Sequence, residues 1–400
     1  MPGYFTKRVE EKIRSVAVFR TPAGITLTCI VLYMGFALVF LGVNRFNPAG
    51  FIWFGERFVQ ENQLPIDVGK ALSPIGSDGQ FFFRLALAPL SDSVMDQGIR
   101  FDFPAYRQQR IVYPLLVRLI SFGNATATAW AMVAVNIIAM GGIAYGAAVI
   151  LRDRGAEPAG ALALVLYPGW TISVARDLSE PVAMACVIAS LCLLLRQRET
   201  SATLLLCLGV LARETTLLVA VAAALYRVWL MLKGRRQAFP FLPWHYALLP
   251  GLCFAAWQSI LFFRWGVFPV FAGQSVNLAM PFKGILMSLI RFLTFSHLDC
   301  YVFLAEFLWL FMVACMTLRC LGQALPLLSI SWILYGIMAL TYAPVIWDNH
   351  LGFYRALVEF NTYGILIIML SSLSNRLLTL PVWALFWCVA AMSEIYFRLV

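Results

Sequence analysis

The residues of this chain best suited to chemistry are acids and arginines set between apolar runs, and the densest group begins at Ser77-Asp78-Gly79-Gln80. An Asp before Gly is an ordinary turn signal. Phe81, Phe82 and Phe83 follow at once and are expected to enter a membrane interface, carrying the carboxylate to the surface. A carboxylate that loses water there has its pKa raised towards neutrality and becomes a better general base. In Tyr106-Arg107-Gln108-Gln109-Arg110 the two arginines are three residues apart, so on a helix they face the same way. They read either as lipid anchors snorkelling to phosphates or as a clamp for a phosphate group, which suits the planar guanidinium fork. Tyr106 and Tyr113 would line the same cleft.

Arg213-Glu214 interrupts an apolar stretch from Leu204 to Tyr226. Charges at that depth cost ~2.5–3.5 kcal/mol each on insertion scales, so such pairs are usually matched or functional. Two short helices meeting at Arg213-Glu214-Thr215 would explain the break. Arg176-Asp177-Leu178-Ser179-Glu180-Pro181 reads as a helix start, with Ser179 as cap and Glu180 in the first turn, and also as a polar recess after Tyr167-Pro168-Gly169. Asp348-Asn349-His350 leads into Tyr354-Arg355, where Arg355 is a further candidate phosphate contact. The three histidines, His245, His297 and His350, never take metal-ligand spacing. No P-loop, GxGxxG or GxSxG motif supports ATP hydrolysis, dinucleotide binding or serine hydrolase chemistry.

These candidates need elements to hold them, and the composition says which. The chain is 61% hydrophobic and 12% charged, with a mean hydropathy of +0.81, outside the range of soluble domains. Gly24 to Val43 carries no charge and is long enough to cross a bilayer. It is too long for a signal-peptide core and reads as an uncleaved anchor. Charge-poor runs recur at 127–150, 159–175, 181–195, 202–212, 215–232, 246–263, 301–318, 324–343, 353–372 and 378–397. The expectation is an all-α polytopic membrane protein of about 11 spans in a single domain, 1–400. Segments 110–122 and 284–296 are short and carry Arg118 and Arg291, so they read as interfacial helices.

The net charge of +10 comes from short basic clusters at the ends of apolar runs, which sets orientation and does not point to nucleic acid. Lys7, Arg8, Lys12 and Arg14 in a cytoplasmic segment 1–23, Arg152 with Arg154, Arg196 with Arg198, and Arg227-Lys233-Arg235-Arg236 all belong inside. Alternation then leaves 44–126 as a long first periplasmic loop with juxtamembrane helices. Asp78, Arg107, Arg110, Arg176, Glu180, Arg213, Glu214 and Arg355 fall on that same outer face. Nine scattered cysteines without a CxxC pair read as small core residues.

Asp78-Gly79-Gln80-Phe81-Phe82, Tyr106-Arg107-Gln108-Gln109-Arg110 running into Tyr113-Pro114-Leu115-Leu116, Tyr167-Pro168-Gly169, Asp177-Leu178-Ser179-Glu180 and Leu211-Ala212-Arg213-Glu214-Thr215 form an ordered set. Together they resemble the GT-C superfamily of polytopic glycosyltransferases. Within it the chain is most similar to bacterial cell-surface glycopolymer proteins and phosphatidylinositol-glycan class V mannosyltransferases. The resemblance covers a core module at about 24–232, and 244–398 is a variable set of C-terminal helices that matches by hydropathy.

The resemblance implies a bacterial inner-membrane hexosyl- or pentosyltransferase with a cytoplasmic N-terminus and a periplasmic active site. It would move a sugar by inverting displacement from a polyprenyl-phosphate donor to a lipid, glycan or protein acceptor among membrane lipids. Asp78 maps onto the acid that acts on the acceptor, and Tyr106, Arg107, Arg110, Arg176, Glu180, Arg213, Glu214 and Arg355 would contact substrate or phosphate. Many members carry an acidic pair near the first position. Here the nearest other acids are Asp67 and Asp92, which favours a single base and gives a divalent Mg or Mn site no support from ligand spacing. A transporter or flippase of lipid-linked sugars, or a non-catalytic subunit of a glycopolymer assembly complex, are the rival readings. Oligomeric state is open.

Overall fold

A computed structural model describes residues 17–234, 242–272, 277–292, 297–371 and 380–399. The basic residues Lys7, Arg8, Lys12, Arg14, Arg235 and Arg236, and the end of the 284–296 run, lie outside the described residues.

The chain is 76% helical with almost no strand, which establishes the all-α class. The helices that bear on the site are α1 (Pro22–Val43), α2 (Gly79–Leu87), α3 (Pro104–Gln108), α4 (Val112–Ser121), α5 (Ala125–Asp153), α6 (Pro168–Ala175), α7 (Glu180–Leu195), α8 (Glu199–Ala212) and α9 (Leu217–Leu232). They continue as α10 (Trp244–Trp265), α11 (Lys283–Phe292), α12 (His297–Cys320), α13 (Pro326–Leu340), α14 (His350–Ala356), α15 (Val358–Leu370) and α16 (Leu380–Leu399).

Five helices among the described residues are long and apolar enough to cross a membrane, and up to seven if each of two bent pairs is one span. The 159–175 run is one such pair. It bends by 56° between Val165 and Pro168, because proline at the first position of α6 cannot continue the helix before it. The 353–372 run belongs to the other, which bends by 53° between α14 and α15. Four more expected spans, α7, α8, α13 and α16, are apolar but shorter. At 1.5 Å per residue the 14 residues of α8 extend only about 21 Å, against a core of roughly 30 Å. Helices that stop short leave polar groups at a bundle end without helix neighbours to cover them, and the charge cluster lies where α8 ends, at Arg213 and Glu214.

Helix α5 shows how the two ends differ. It starts at Ala125 beside α4 and ends at Asp153, whose carboxylate takes Arg152 and Arg196 at 3.0 Å each, all three well exposed. The opposite end is capped by the folded 44–124 segment, which has a core of its own. Phe54, Phe81, Phe82, Phe83, Ile99, Phe101 and Tyr113 pack there against Met132 of α5 and Val182 of α7. Phe81, Phe82 and Phe83 are therefore buried in protein, at 2%, 3% and 0% exposure, and not inserted in the interface as expected. The aromatic set closes on itself, Phe83 edge-on to Phe54 and Phe82 edge-on to Tyr113. The strands here are two-residue pieces: Phe54–Gly55 pairs in parallel with Leu72–Ser73, and Met95–Asp96 antiparallel with Ile99–Arg100. Helix α4 spans only Val112–Ser121 and ends at Phe122, left-handed and 91% exposed. Arg118 donates to the Ala86 and Leu87 carbonyls, closing the C-terminal end of α2.

Arg84 holds this cap together. It is fully buried, its guanidinium carbon lies 3.6 Å from the Phe101 ring centroid, and it donates to the carbonyls of Ser93, Val94 (2.7 Å) and Ile99 (2.8 Å). Burial brings its pKa down to about 10, still charged at neutral pH. Arg84→Leu leaves three carbonyls without their donor, at about 1–3 kcal/mol for each that water cannot reach. Amide exchange across 88–103 is expected to accelerate while the transmembrane helices stay protected, and unchanged exchange there would contradict this role.

Candidate functional site

Asp78 stands immediately before α2 and caps no helix amide through its side chain. Its two oxygens are instead taken by arginines from distant parts of the chain. Arg107 Nη1 donates to Oδ1 at 2.7 Å, and Arg355 Nη2 donates to Oδ2 at 2.6 Å. The start of α2 is fixed tightly enough to define this geometry. A Cβ on Gly79 would collide with the Arg176 carbonyl oxygen and lie 2.9 Å from that of Ile52, so only glycine lets α2 seat against the end of α6.

From Asp78 the network runs two ways. Arg107 also grips Asp102 with both edges of its fork, at 2.7 and 2.6 Å, and lies over the Phe81 ring at 4.3 Å. Arg355 donates from Nε to Glu180, and the same Glu180 oxygen pairs with Arg213. Arg213 Nε reaches Glu359 at 2.7 Å, where Thr215 also donates at 2.8 Å. Alongside, Arg110 holds Glu214 in a two-bond fork, 2.8 and 2.5 Å, and donates to the Tyr106 hydroxyl at 3.0 Å. The floor of this cluster is the deepest part: Glu180, Arg213 and Glu359 have side chains 0%, 7% and 4% exposed, while Asp78 and Arg355 keep 20% and 25%. Access is thus from the Asp78 side.

The expectation of a raised pKa at Asp78 is overturned. Burial on its own pushes this carboxyl up, but Arg107, Arg355 and Arg110 together hold it well below the usual carboxylate range. Arg107, facing Asp78 and Asp102, is held above its ordinary value despite its burial. Asp78 is therefore an ionised acceptor over the whole neutral range.

Eight of the nine residues picked from the sequence meet here: Asp78, Tyr106, Arg107, Arg110, Glu180, Arg213, Glu214 and Arg355. Arg176 does not join them. It pairs with Glu394 at 3.3 Å and lies over Trp53. Arg107 and Arg110 do not share one helix, because α3 ends at Gln108 and Arg110 sits in the break before α4. They reach different acids as a result. Ser179 does not cap α7 by a side-chain hydrogen bond, and Glu180 is spent on arginines instead of the helix start. The expected break at Arg213-Glu214-Thr215 is present, with α8 ending at Ala212 and a 3-10 turn leading into α9.

Three participants escaped the sequence reading, Asp102, Glu359 and Asn277, whose amide lies 3.4 Å from the Tyr106 hydroxyl, and Thr215 was read only as part of the helix break. Asp102 had a signal, an acid just ahead of a proline-started helix that carries Arg107. So did Glu359, the sole acid of the 353–372 run. Among the described residues no three His, Cys, Asp or Glu side chains converge on one point as a metal site would require. Each carboxylate of the cluster is turned to a guanidinium.

The chain matches no protein-family model and no curated protein.

Proposed function

We propose that the protein is an inverting membrane glycosyltransferase of GT-C type that uses a polyprenyl-phosphate sugar. The observation that carries this reading is the pairing of a largely buried carboxylate, Asp78, with two arginines, all three still partly exposed, among apolar helices. On this reading four shorter apolar helices join the seven candidate spans as the eleven charge-poor runs of the bundle, with α8 entering the bilayer without crossing it fully. With basic clusters inside, the Asp78 cluster faces the periplasm across a bacterial inner membrane. A polyprenyl chain then supplies the apolar binding energy from the bilayer, and the protein needs only a polar end-pocket.

In the reaction the acceptor hydroxyl hydrogen-bonds to Asp78, its oxygen attacks the anomeric carbon, and the bond from that carbon to the phosphate oxygen breaks. The proton passes to Asp78 as the new bond forms. Polyprenyl phosphate leaves with one more negative charge, which Arg355, Arg107 and Arg110 stabilise where it develops. Arg213, Glu180 and Glu359 lie behind, and they hold Arg355 in place. Because Asp78 is already ionised at neutral pH, it works by orienting the hydroxyl and taking its proton late.

The test is transfer of radiolabelled sugar from synthetic polyprenyl-phosphate donors to extracted envelope acceptors by the purified protein, followed across pH. A carboxyl whose folded pKa is depressed keeps its ion pairs above the unfolded value near pH 4, and they weaken only as pH falls through the folded value. The rate is therefore expected to show no acid limb from Asp78 between about pH 5 and 8. An acid limb in that window that moves in Asp78→Glu would show the residue titrating there and refute the assignment. Donor binding with no transfer to any acceptor favours a non-catalytic subunit.

A further inference from the structure

Arg176, separated from the Asp78 cluster, belongs to a second group of charges that the transferase reading does not use. Its guanidinium lies 3.7 Å from the Trp53 ring centroid, and that of Arg398, from the end of α16, lies 4.5 Å from the same ring. Glu394, one turn before Arg398, accepts from Arg176 Nη2 at 3.3 and 3.4 Å. Arg398 donates to the Gly50 carbonyl. All three are at least nine-tenths buried, at 7%, 9% and 2% exposure. Two guanidiniums therefore lie near one carboxylate, which pairs with Arg176, and Arg176 Nε is buried with no hydrogen-bond partner among the described residues. Buried charge without a counter-charge is costly, and a guanidinium with an unused donor is satisfied best by an anion with several oxygens.

The location says which anion. Helices α1 and α16 meet along a seam where Tyr33 and Phe36 pack edge-on against Trp387. The seam ends at Phe40, whose ring lies 5.4 Å from the Arg398 guanidinium. On its flanks Leu38 and Val39 of α1, and Val389, Met392 and Tyr396 of α16, are all exposed and apolar apart from one hydroxyl. Acyl chains lying on these flanks bring a headgroup to the helix ends, the level of the arginines.

We propose that Arg176 and Arg398 form a seat for the phosphate of a lipid, entered along the α1–α16 seam, with Trp53 stacked between the two guanidiniums. The seat needs only a phosphate, so it does not depend on the transferase reading. It shares a wall with the Asp78 cluster, since the Ser77 hydroxyl touches the Arg176 carbonyl at 3.5 Å.

The test uses the purified full chain in detergent and three probes: dioctanoyl phosphatidic acid, dioctanoyl glycerol and inorganic phosphate, each titrated calorimetrically. Phosphatidic acid is expected to bind, and the uncharged diglyceride is expected not to. Arg398→Gln should weaken binding roughly tenfold, the scale of one charge-assisted contact. Glu394→Gln removes the competing carboxylate and should tighten it, an opposite sign that a merely structural role does not produce. Arg398→Lys, which keeps the charge and loses the fork, should fall between wild type and Arg398→Gln, and it serves if Glu394→Gln does not fold. Inorganic phosphate binding as tightly as phosphatidic acid overturns the lipid as source. Equal binding by wild type and folded Arg398→Gln overturns the seat itself.

Discussion

Asp78→Asn is expected to remove sugar transfer while leaving a folded, membrane-inserted protein. The amide keeps the shape of the carboxylate but cannot take a proton, and it loses the charge that faces Arg107 and Arg355 at 2.7 and 2.6 Å. Positioned general bases contribute roughly 10²–10⁴ in rate, so the variant should fall by about that factor at saturating donor. Stability should change little by comparison. Arg107 retains both bonds to Asp102, and Arg355 retains Glu180, so neither guanidinium is abandoned. The cost is about 1.5–3 kcal/mol, the range for a hydrogen bond to a charged group. Thermal unfolding of the purified variant, read beside the transfer assay, separates the two effects. Near-normal transfer by a folded Asp78→Asn protein would end the assignment of Asp78 to the reaction.

Much of this arrangement was legible in the sequence, because apolar helices make every charge conspicuous. Arg213-Glu214 inside a long apolar stretch announced a helix break, which is present, while its two charges find their partners elsewhere, in Glu180 and Arg110. The alternation of basic clusters brought Asp78, Arg107, Glu180, Arg213 and Arg355 to one side, and these side chains do join at one end of the bundle. What the sequence could not supply was pairing. Arg110 to Glu214 and Arg355 to Asp78 are contacts between residues more than a hundred positions apart, and any acid in the set was an equal partner for any arginine. The sign of the Asp78 shift failed for that reason: burial alone predicts a raised pKa, and only the geometry reveals two guanidiniums on one carboxylate. Helix lengths were misjudged where local chemistry intervenes. Hydropathy reads 159–175 as one run, while Pro168 starts a new helix at an angle. Arg176 was misgrouped because its side chain pairs with neither of the acids close to it in sequence, Asp177 and Glu180. Its partner is Glu394, more than two hundred residues away.

Replacing Arg213 should do to the fold what replacing Asp78 does to the reaction. Arg213 stands between two buried acids, Glu180 and Glu359, with all three side chains under a tenth exposed. Arg213→Met removes the cation that both carboxylates face. Breaking a buried pair by deleting one partner costs about 3–5 kcal/mol, because the remaining charge is left in a poor solvent. Here two acids remain, although Arg355 still serves Glu180 and Thr215 still serves Glu359. The variant is expected to unfold several degrees lower, or to fail to accumulate in the membrane. The double variant Arg213→Met with Glu359→Gln is expected to recover a large part of that loss, since it deletes the orphaned charge together with its partner. Non-additivity of that size appears only for residues in one network. Equal and additive losses in a thermal-unfolding cycle would show that Arg213 acts by packing alone. The cycle also bears on catalysis. If Glu180 is held by Arg213, then the double variant, which keeps Asp78 and Arg355 but frees Glu180 on one side, should fold and still transfer slowly. Arg355 would have lost the fixed partner that aims it at Asp78.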